Sequence, residues 1–350
     1  MIGNYKVVCN TAAGRRRYMQ YLVPQVVAAD VVDRYDIWIN TTDKQDIAFF
    51  ELLASKFPKI NLVYQPDGIV NGIASINAFY KGCVEEDAIY FKLDDDIVWI
   101  EPNLFDKMVR FRVDNPDYFL VSPLVINNSL STYILQNAGK ITLDRYYMAT
   151  SVSQTLWCSG EFASQLHEWF LNSYLKTGRY HELYCGKRPI AMARFSINSI
   201  LWFGSEMKKF GGVVPGDDEE WLSCIKPTEL GKVNCFNGDA ILSHFAFFPQ
   251  REMLDKRTIL EQYGAFLHAQ WGLDPKMSEI DATVQKAMRE VEECRAEILS
   301  RPAIYKAVEK IKPTLKSKIG RWRIPVLSLS SLSQLKSRLS GSKRSKYIYQ

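Results

Sequence analysis

The sequence predicts an α/β protein built on a doubly wound, mostly parallel sheet flanked by helices, with a helical C-terminal extension and a basic tail. Three observations predict it. Through the first hundred residues, short β-branched and aromatic runs alternate with stretches of helical period. Acidic residues collect where those runs end, on the side where open α/β sheets bind ligands. The chain's 350 residues, 47% hydrophobic and 24% charged, suit one large globular domain or two smaller ones.

Residues 5–10 form the first strand. Thr11-Ala12-Ala13-Gly14 reads as a turn, and Arg15-Arg16-Arg17 opens a helix carrying Tyr21, Leu22 and Val26. A strand, a small-residue turn and a helix N-terminus make an anion-binding arrangement. Arginine forks suit phosphate, although a basic first turn opposes the helix dipole and reads equally as a solvated face. Residues 35–40 form a second strand ending near Asp43, residues 46–57 a helix, and residues 60–64 a third strand. Residues 71–84 form the next helix. The first turn is neither G-x-G-x-x-G nor G-x-x-x-x-G-K-[ST], which lowers dinucleotide-binding and P-loop readings.

The next stretch runs Tyr90-Phe91-Lys92-Leu93-Asp94-Asp95-Asp96-Ile97-Val98-Trp99-Ile100. A buried strand has no use for three unpaired carboxylates, since each is costly to desolvate. The acids therefore mark the strand's end. On an extended chain Asp94 and Asp96 share a side, about 6–7 Å apart. That pair can hold a hard cation such as Mg2+ or Mn2+. The plainer alternative is an acidic turn.

Farther on, residues 103–112 and 161–175 read as helices and 118–121 as a strand, while 127–153 is polar and irregular. Tyr133, Tyr146, Tyr147, Trp157 and Trp169 crowd this middle region, as core or as a platform for sugar rings. Residues 195–203 are apolar. Asp217-Asp218-Glu219-Glu220 then opens a short helix, where the dipole favours acids. In the late strand 238–248 a single histidine, His244, stands among apolar residues, with Arg251 just beyond.

Leu93-Asp94-Asp95-Asp96-Ile97 resembles the Asp-x-Asp motif of GT-A-fold glycosyltransferases. The other parts follow in that family's order: nucleotide turn, acidic strand end, acidic helix start, late histidine. The likeness covers residues 5–255 and is similar to bacterial glycosyltransferases of uncharacterised specificity. It implies a nucleoside-diphosphate-sugar donor and Mn2+ or Mg2+ held by Asp94, Asp96 and His244. Thr11, Arg15, Arg16, Asp43, Asp94, Asp95 and Arg251 are then the donor contacts. Asp218 is the base of an inverting transfer, with Asp217 and Glu219 as alternatives, and like-charge neighbours would raise its pKa. The acceptor is a glycan or lipid-linked glycan. The chain lacks Gln-x-x-Arg-Trp, which argues against a processive synthase. A sugar-phosphate nucleotidyltransferase and a non-catalytic glycan- or membrane-binding module are the alternatives.

On this reading residues 1–105 bind the donor, 106–265 form the acceptor and catalytic half, 266–311 a helical extension, and 312–350 a tail. Seven cysteines without a C-x-x-C pair, and an N-terminus unlike a signal peptide, predict a cytoplasmic protein. Residues 278–299 carry a narrow apolar stripe, suited to docking on the main domain or to a homo-oligomer. The tail has ten Lys/Arg and no acid, which suits an anionic membrane surface or a disordered segment. No recognition motif points to nucleic acid.

Overall fold

The computed structural model describes residues 4–191, 193–307 and 346–349. The chain alternates β1 (Lys6–Ala13), α1 (Arg16–Ala28), β2 (Arg34–Ile39), α2 (Lys44–Lys56) and β3 (Ile60–Tyr64), as the hydrophobic period predicts. A two-residue β4 (Ile69–Val70) precedes Gly72–Gly82, which winds as a 3-10 helix where an α-helix was expected. The acidic strand is two strands, β5 (Ala88–Leu93) and β6 (Ile97–Ile100), with the three aspartates in the turn between them.

Next come α3 (Leu104–Asp114), β7 (Val121–Ile126), α4 (Ser129–Asn137), β8 (Thr142–Leu143) and α5 (Gly160–Phe170). The stretch expected to be irregular thus contains a helix. Asn128 starts it by accepting hydrogen bonds from the N–H groups of Leu130 and Ser131. Then follow β9 (Lys187–Ile190), β10 (Ser199–Phe203), α6 (Gly204–Lys208), α7 (Asp218–Glu220), α8 (Lys226–Leu230) and β11 (Asn234–His244). The extension is α9 (Arg251–Lys256), α10 (Ile259–Trp271), α11 (Pro275–Glu293) and α12 (Arg295–Ser300). Two-residue strands β12 (Lys306–Ala307) and β13 (Ile348–Tyr349) pair with β4 and β8.

One nine-stranded sheet has the order β3-β2-β1-β5-β10-β7-β11-β6, with β9 on β11. The expected α/β architecture is present. The run from β3 to β5 is parallel, and β10 then enters antiparallel between β5 and β7. Strand side chains alternate between two cores, which is why the strands read as continuous apolar runs. Val7, Cys9, Ile89 and Phe91 face the core shared with α1, α2, α3 and α11. Val8, Ala88 and Tyr90 face the core shared with α5 and α10. The parallel strands all deliver their carboxyl ends to one edge, where Gly14, Asn40 and Asp94 lie.

The stripe of residues 278–299, suited to docking on the main domain or to a homo-oligomer, is covered by the chain itself. Ile280, Val284, Ala287 and Val291 are buried in the core that α11 shares with α1 and α2. Most of the predicted basic tail, 312–345 and residue 350, lies outside the described residues, as do 308–311 of the predicted extension. Ile348 and Tyr349 lie antiparallel to Leu143 and Thr142. Among the described residues, no helix is long and apolar enough to cross a membrane. All seven cysteines are free.

Candidate active site

The turn after β5 brings three carboxylates to the sheet's edge, and each finds different company. Asp95 and Asp96 are buried, at 6% and 3% exposure. Gly14 and Arg15, leaving β1, reach Asp95: the Gly14 N–H donates to Oδ2 at 3.0 Å, and the Arg15 guanidinium grips both oxygens. A Cβ on Gly14 would stand 3.3 Å from the Asn40 carbonyl, so a small residue lets the β1 and β2 ends converge here. Arg15 also donates to Asp96 at 2.9 Å, and Arg251 lies 3.6 Å from Asp96.

His244 comes from the end of β11, where the ladder shifts register between Ser243 and His244. Its Nδ1 faces the Asn127 carbonyl at 3.3 Å, and Nε2 faces Asp96 Oδ1 at 3.3 Å. An Nδ1–H donating to that carbonyl leaves Nε2 free as a ligand, the usual orientation of a metal-binding histidine. Ligand atoms of Asp94, Asp96 and His244 all lie within 4.8 Å of one another. Two carboxylates and an imidazole fit a divalent cation of the Mn2+ type. Arg15 Nη1 and Arg251 Nε are buried without a partner. Unpaired guanidinium N–H groups beside such a set suit an anion with several oxygens.

Charge decides the protonation states. Burial by itself would raise the Asp96 carboxyl, but the Arg15 and Arg251 guanidinium groups override it and hold it well below the usual range. Burial dominates at Asp95 and pushes its carboxyl up despite Arg15. Asp94 is more open. It accepts from Lys92 Nζ, and from Asn198 Nδ2 at 3.0 Å. Lys92 is itself buried, and Asp94 and Asp218 keep it charged against desolvation.

Asp218 lies within electrostatic reach of Lys92. It is 8% exposed, and Tyr80 Oη donates to its Oδ2 at 3.0 Å. Its carboxyl is raised chiefly by burial, with Lys92 and Tyr80 opposing and Asp94 and Asp217 adding. Neighbour repulsion alone was the expected cause; desolvation is the larger one. Asp217 caps α7 through the Glu220 N–H and pairs with Arg194 at 2.9 Å. Glu219 meets the same arginine at 3.0 Å.

Other expected donor contacts are engaged within the chain. Thr11 is not in a turn: β1 runs through it, it is 0% exposed, and its hydroxyl accepts from Tyr35. No surface is left there for a nucleotide. Arg16 is engaged by Asp46, through both its backbone N–H and its guanidinium. Asp43 caps α2, accepting from the Gln45 and Asp46 N–H groups. The anion site expected at the α1 N-terminus is thus filled by the chain's own carboxylates, Asp95 and Asp46.

Lys92, Tyr80, Asn198, Arg194 and Asn127 were not foreseen. Lys92 did leave a signal, since a lysine two residues before Asp94 on a strand shares its side. A cavity of about 260 Å3 is lined by Gln65, Asn71, Ser75, Asn77 and Lys81 among others. Ser75 bonds Asn40, and Asn77 donates to Gly216, just before Asp217. Gln65 Oε1 and Asn77 Oδ1 are buried without partners. Their amide nitrogens are committed to the Ser75 and Gly216 carbonyls, which fixes the oxygens as free acceptors. A larger cavity, about 920 Å3, lies at the far end of β6 by Ile100 and Glu101, away from the aspartates.

No family model matches the chain, and no curated protein matches it. Among solved structures, the chain is similar to mannosyltransferase PcManGT from Pyrobaculum calidifontis in complex with GDP-Man and Mn2+. That likeness has 12% identity and a TM-score of 0.42, over 86% of this chain and 81% of the other. It is also similar to S. aureus TarS, at 12% identity and TM-score 0.40 over 83% and 91%. A third likeness is to CMP:2-keto-3-deoxy-manno-octonic acid synthetase complexed with CTP, at 10% identity and TM-score 0.40 over 74% and 99%. At this distance the likenesses carry no activity over to this chain.

Proposed function

We propose that this chain is a metal-dependent, GT-A-type glycosyltransferase that moves a sugar from a nucleoside diphosphate to a glycan or lipid-linked glycan hydroxyl, with inversion. The observation that carries the proposal is the Asp94, Asp96 and His244 set with the unpaired N–H groups of Arg15 and Arg251 beside it. A divalent cation held by Asp94, Asp96 and His244 would neutralise charge on the leaving diphosphate. Arg15 and Arg251 bind the diphosphate oxygens. Residues 1–105 serve the donor, whose base lies toward the free acceptors of Gln65 and Asn77. Residues 106–265 serve the acceptor.

Asp218 takes the proton of the acceptor hydroxyl as that oxygen bonds to the anomeric carbon and the diphosphate departs with the bonding pair. Burial supports this role, because a raised carboxyl is a better base. Lys92 keeps Asp218 and Asp94 from repelling each other outright. Asp217 and Glu219, tied to Arg194, orient the helix start.

Product analysis with Mn2+ and a panel of nucleotide sugars tests the reading. Release of a nucleoside diphosphate, with a glycoside of inverted configuration, is expected. Pyrophosphate release from a nucleoside triphosphate and a sugar phosphate would instead make it a nucleotidyltransferase.

A further inference from the structure

Three buried polar side chains behind the candidate metal centre take no part in the proposed chemistry. His167 on α5, Tyr263 on α10 and Ser243 in β11 are each 0% exposed. They bond one another. His167 Nδ1 lies 3.0 Å from Tyr263 Oη, and Tyr263 Oη lies 2.9 Å from Ser243 Oγ. His167 Nε2 lies 2.8 Å from the Phe245 carbonyl oxygen. Residues 243 and 245 flank His244. The chain of bonds therefore leaves β11 on one side of that histidine and returns to the backbone on the other.

The bond directions follow from the end at Phe245. A carbonyl oxygen only accepts, so His167 Nε2 carries a proton and donates it. Burial pushes the His167 pKa down to about 3, so the ring is neutral near pH 7 and its Nδ1 accepts. Tyr263 then donates to Nδ1 and accepts from Ser243. The Phe245 peptide is where this bracket meets the metal centre. Its N–H donates to the Asp96 carbonyl at 2.8 Å. Its carbonyl accepts from His167 and, at 2.9 Å, from Asn127 Nδ2. One peptide group thus ties the backbone of Asp96 to the backbone just after His244. Strand pairing alone does not aim the His244 ring, because the ladder to β6 shifts register between Ser243 and His244.

We propose that His167 is a positioning residue for the metal centre: with Tyr263 and Ser243 it brackets His244 and fixes the spacing of that imidazole from Asp96. The inference rests on the metal-centre part of the glycosyltransferase reading and adds the residues that preorganise it. A ligand set already held in its binding geometry loses less freedom when the cation arrives. Partners standing behind metal ligands contribute about 10–100-fold in affinity. A histidine that only fills the core would contribute to the melt and not to the cation.

The test is Mn2+ binding to the full chain, followed by the paramagnetic resonance signal of the free ion, with Mn2+ alone and with inorganic pyrophosphate. His167→Leu should weaken Mn2+ binding about tenfold. His167→Gln keeps an amide nitrogen that can donate to the Phe245 carbonyl, and it should recover most of that loss. A triple variant, His167→Leu with Tyr263→Phe and Ser243→Ala, removes the bracket's polar side-chain atoms together and orphans none of them. It should stay folded by circular dichroism and still bind Mn2+ weakly. The inference is overturned if a folded His167→Leu or triple variant binds Mn2+ as wild type does, or if His167→Gln loses as much as His167→Leu. Wild type that binds no Mn2+ under either condition would overturn the metal-centre reading, and this inference with it.

Discussion

Asp94-Asp95-Asp96 and Asp217-Asp218-Glu219-Glu220 look alike as strings of acids, yet one lies between two buried strands and the other at the start of a short helix. The first is met by cations: Arg15 after β1 and Arg251 beyond β11, both distant in the chain, and Lys92 two residues before Asp94 in β5. Arg15 and Arg251 hold Asp96 ionised. In the second cluster the one arginine, Arg194, pairs with the outer acids, and Asp218 goes inward with a tyrosine hydroxyl for company. Its carboxyl rises. The same residue type thus becomes a candidate ligand where cations compensate burial, and a candidate base where they compensate it only in part.

The comparison breaks most visibly at Asp218. Asp218→Asn should lower kcat by about 10²–10⁴ with little change in donor affinity, since a lost general base costs that much. Its stability should move the other way. The folded-state pKa is raised, so ionising the buried carboxyl costs the folded state. That cost is absent below the unfolded value and complete above the folded one. Thermal melts at neutral pH should find Asp218→Asn at least as stable as wild type, with the gap closing as the pH falls.

Lys92 links the two clusters, and removing its charge sharpens the contrast. Wild-type kcat should lose activity on the acid side at a pH above the 3.8 of an ordinary aspartate. Lys92 opposes that rise, so in Lys92→Met the acid limb should move to higher pH. An unmoved limb would mean that Asp218 is not the group titrating. The smallest effect is expected at Arg194. Its pairs with Asp217 and Glu219 are partly exposed, and Arg194→Ala should cost no more than about 1 kcal/mol in denaturant melts.

The aspartate turn and His244 stood out because each is a polar group within an apolar run, and the acidic helix start because four acids fall together there. Alternation of strands and helices gave the parallel half of the sheet for the same local reason. Strand direction was not legible for β10, because its pairing with β5 joins residues about a hundred positions apart. Helix α4 was hidden because Ser129 and Ser131 make its first turn look like a loop. The role of Arg15 was only half legible. Its phosphate-like partners in this structure are Asp95 and Asp96, which a strand-by-strand reading cannot bring to it. The apolar stripe of α11 showed a buried face but not whose surface covers it.

Donor affinity through the aspartate turn is the central claim. It is tested most directly by calorimetric titration of nucleoside diphosphates into wild type and Asp96→Asn, with and without Mn2+, after circular dichroism has shown both to be folded. Wild type should bind at least one diphosphate with affinity that depends on Mn2+, and Asp96→Asn should lose that dependence. Unchanged Mn2+-dependent binding by a folded Asp96→Asn protein would contradict it.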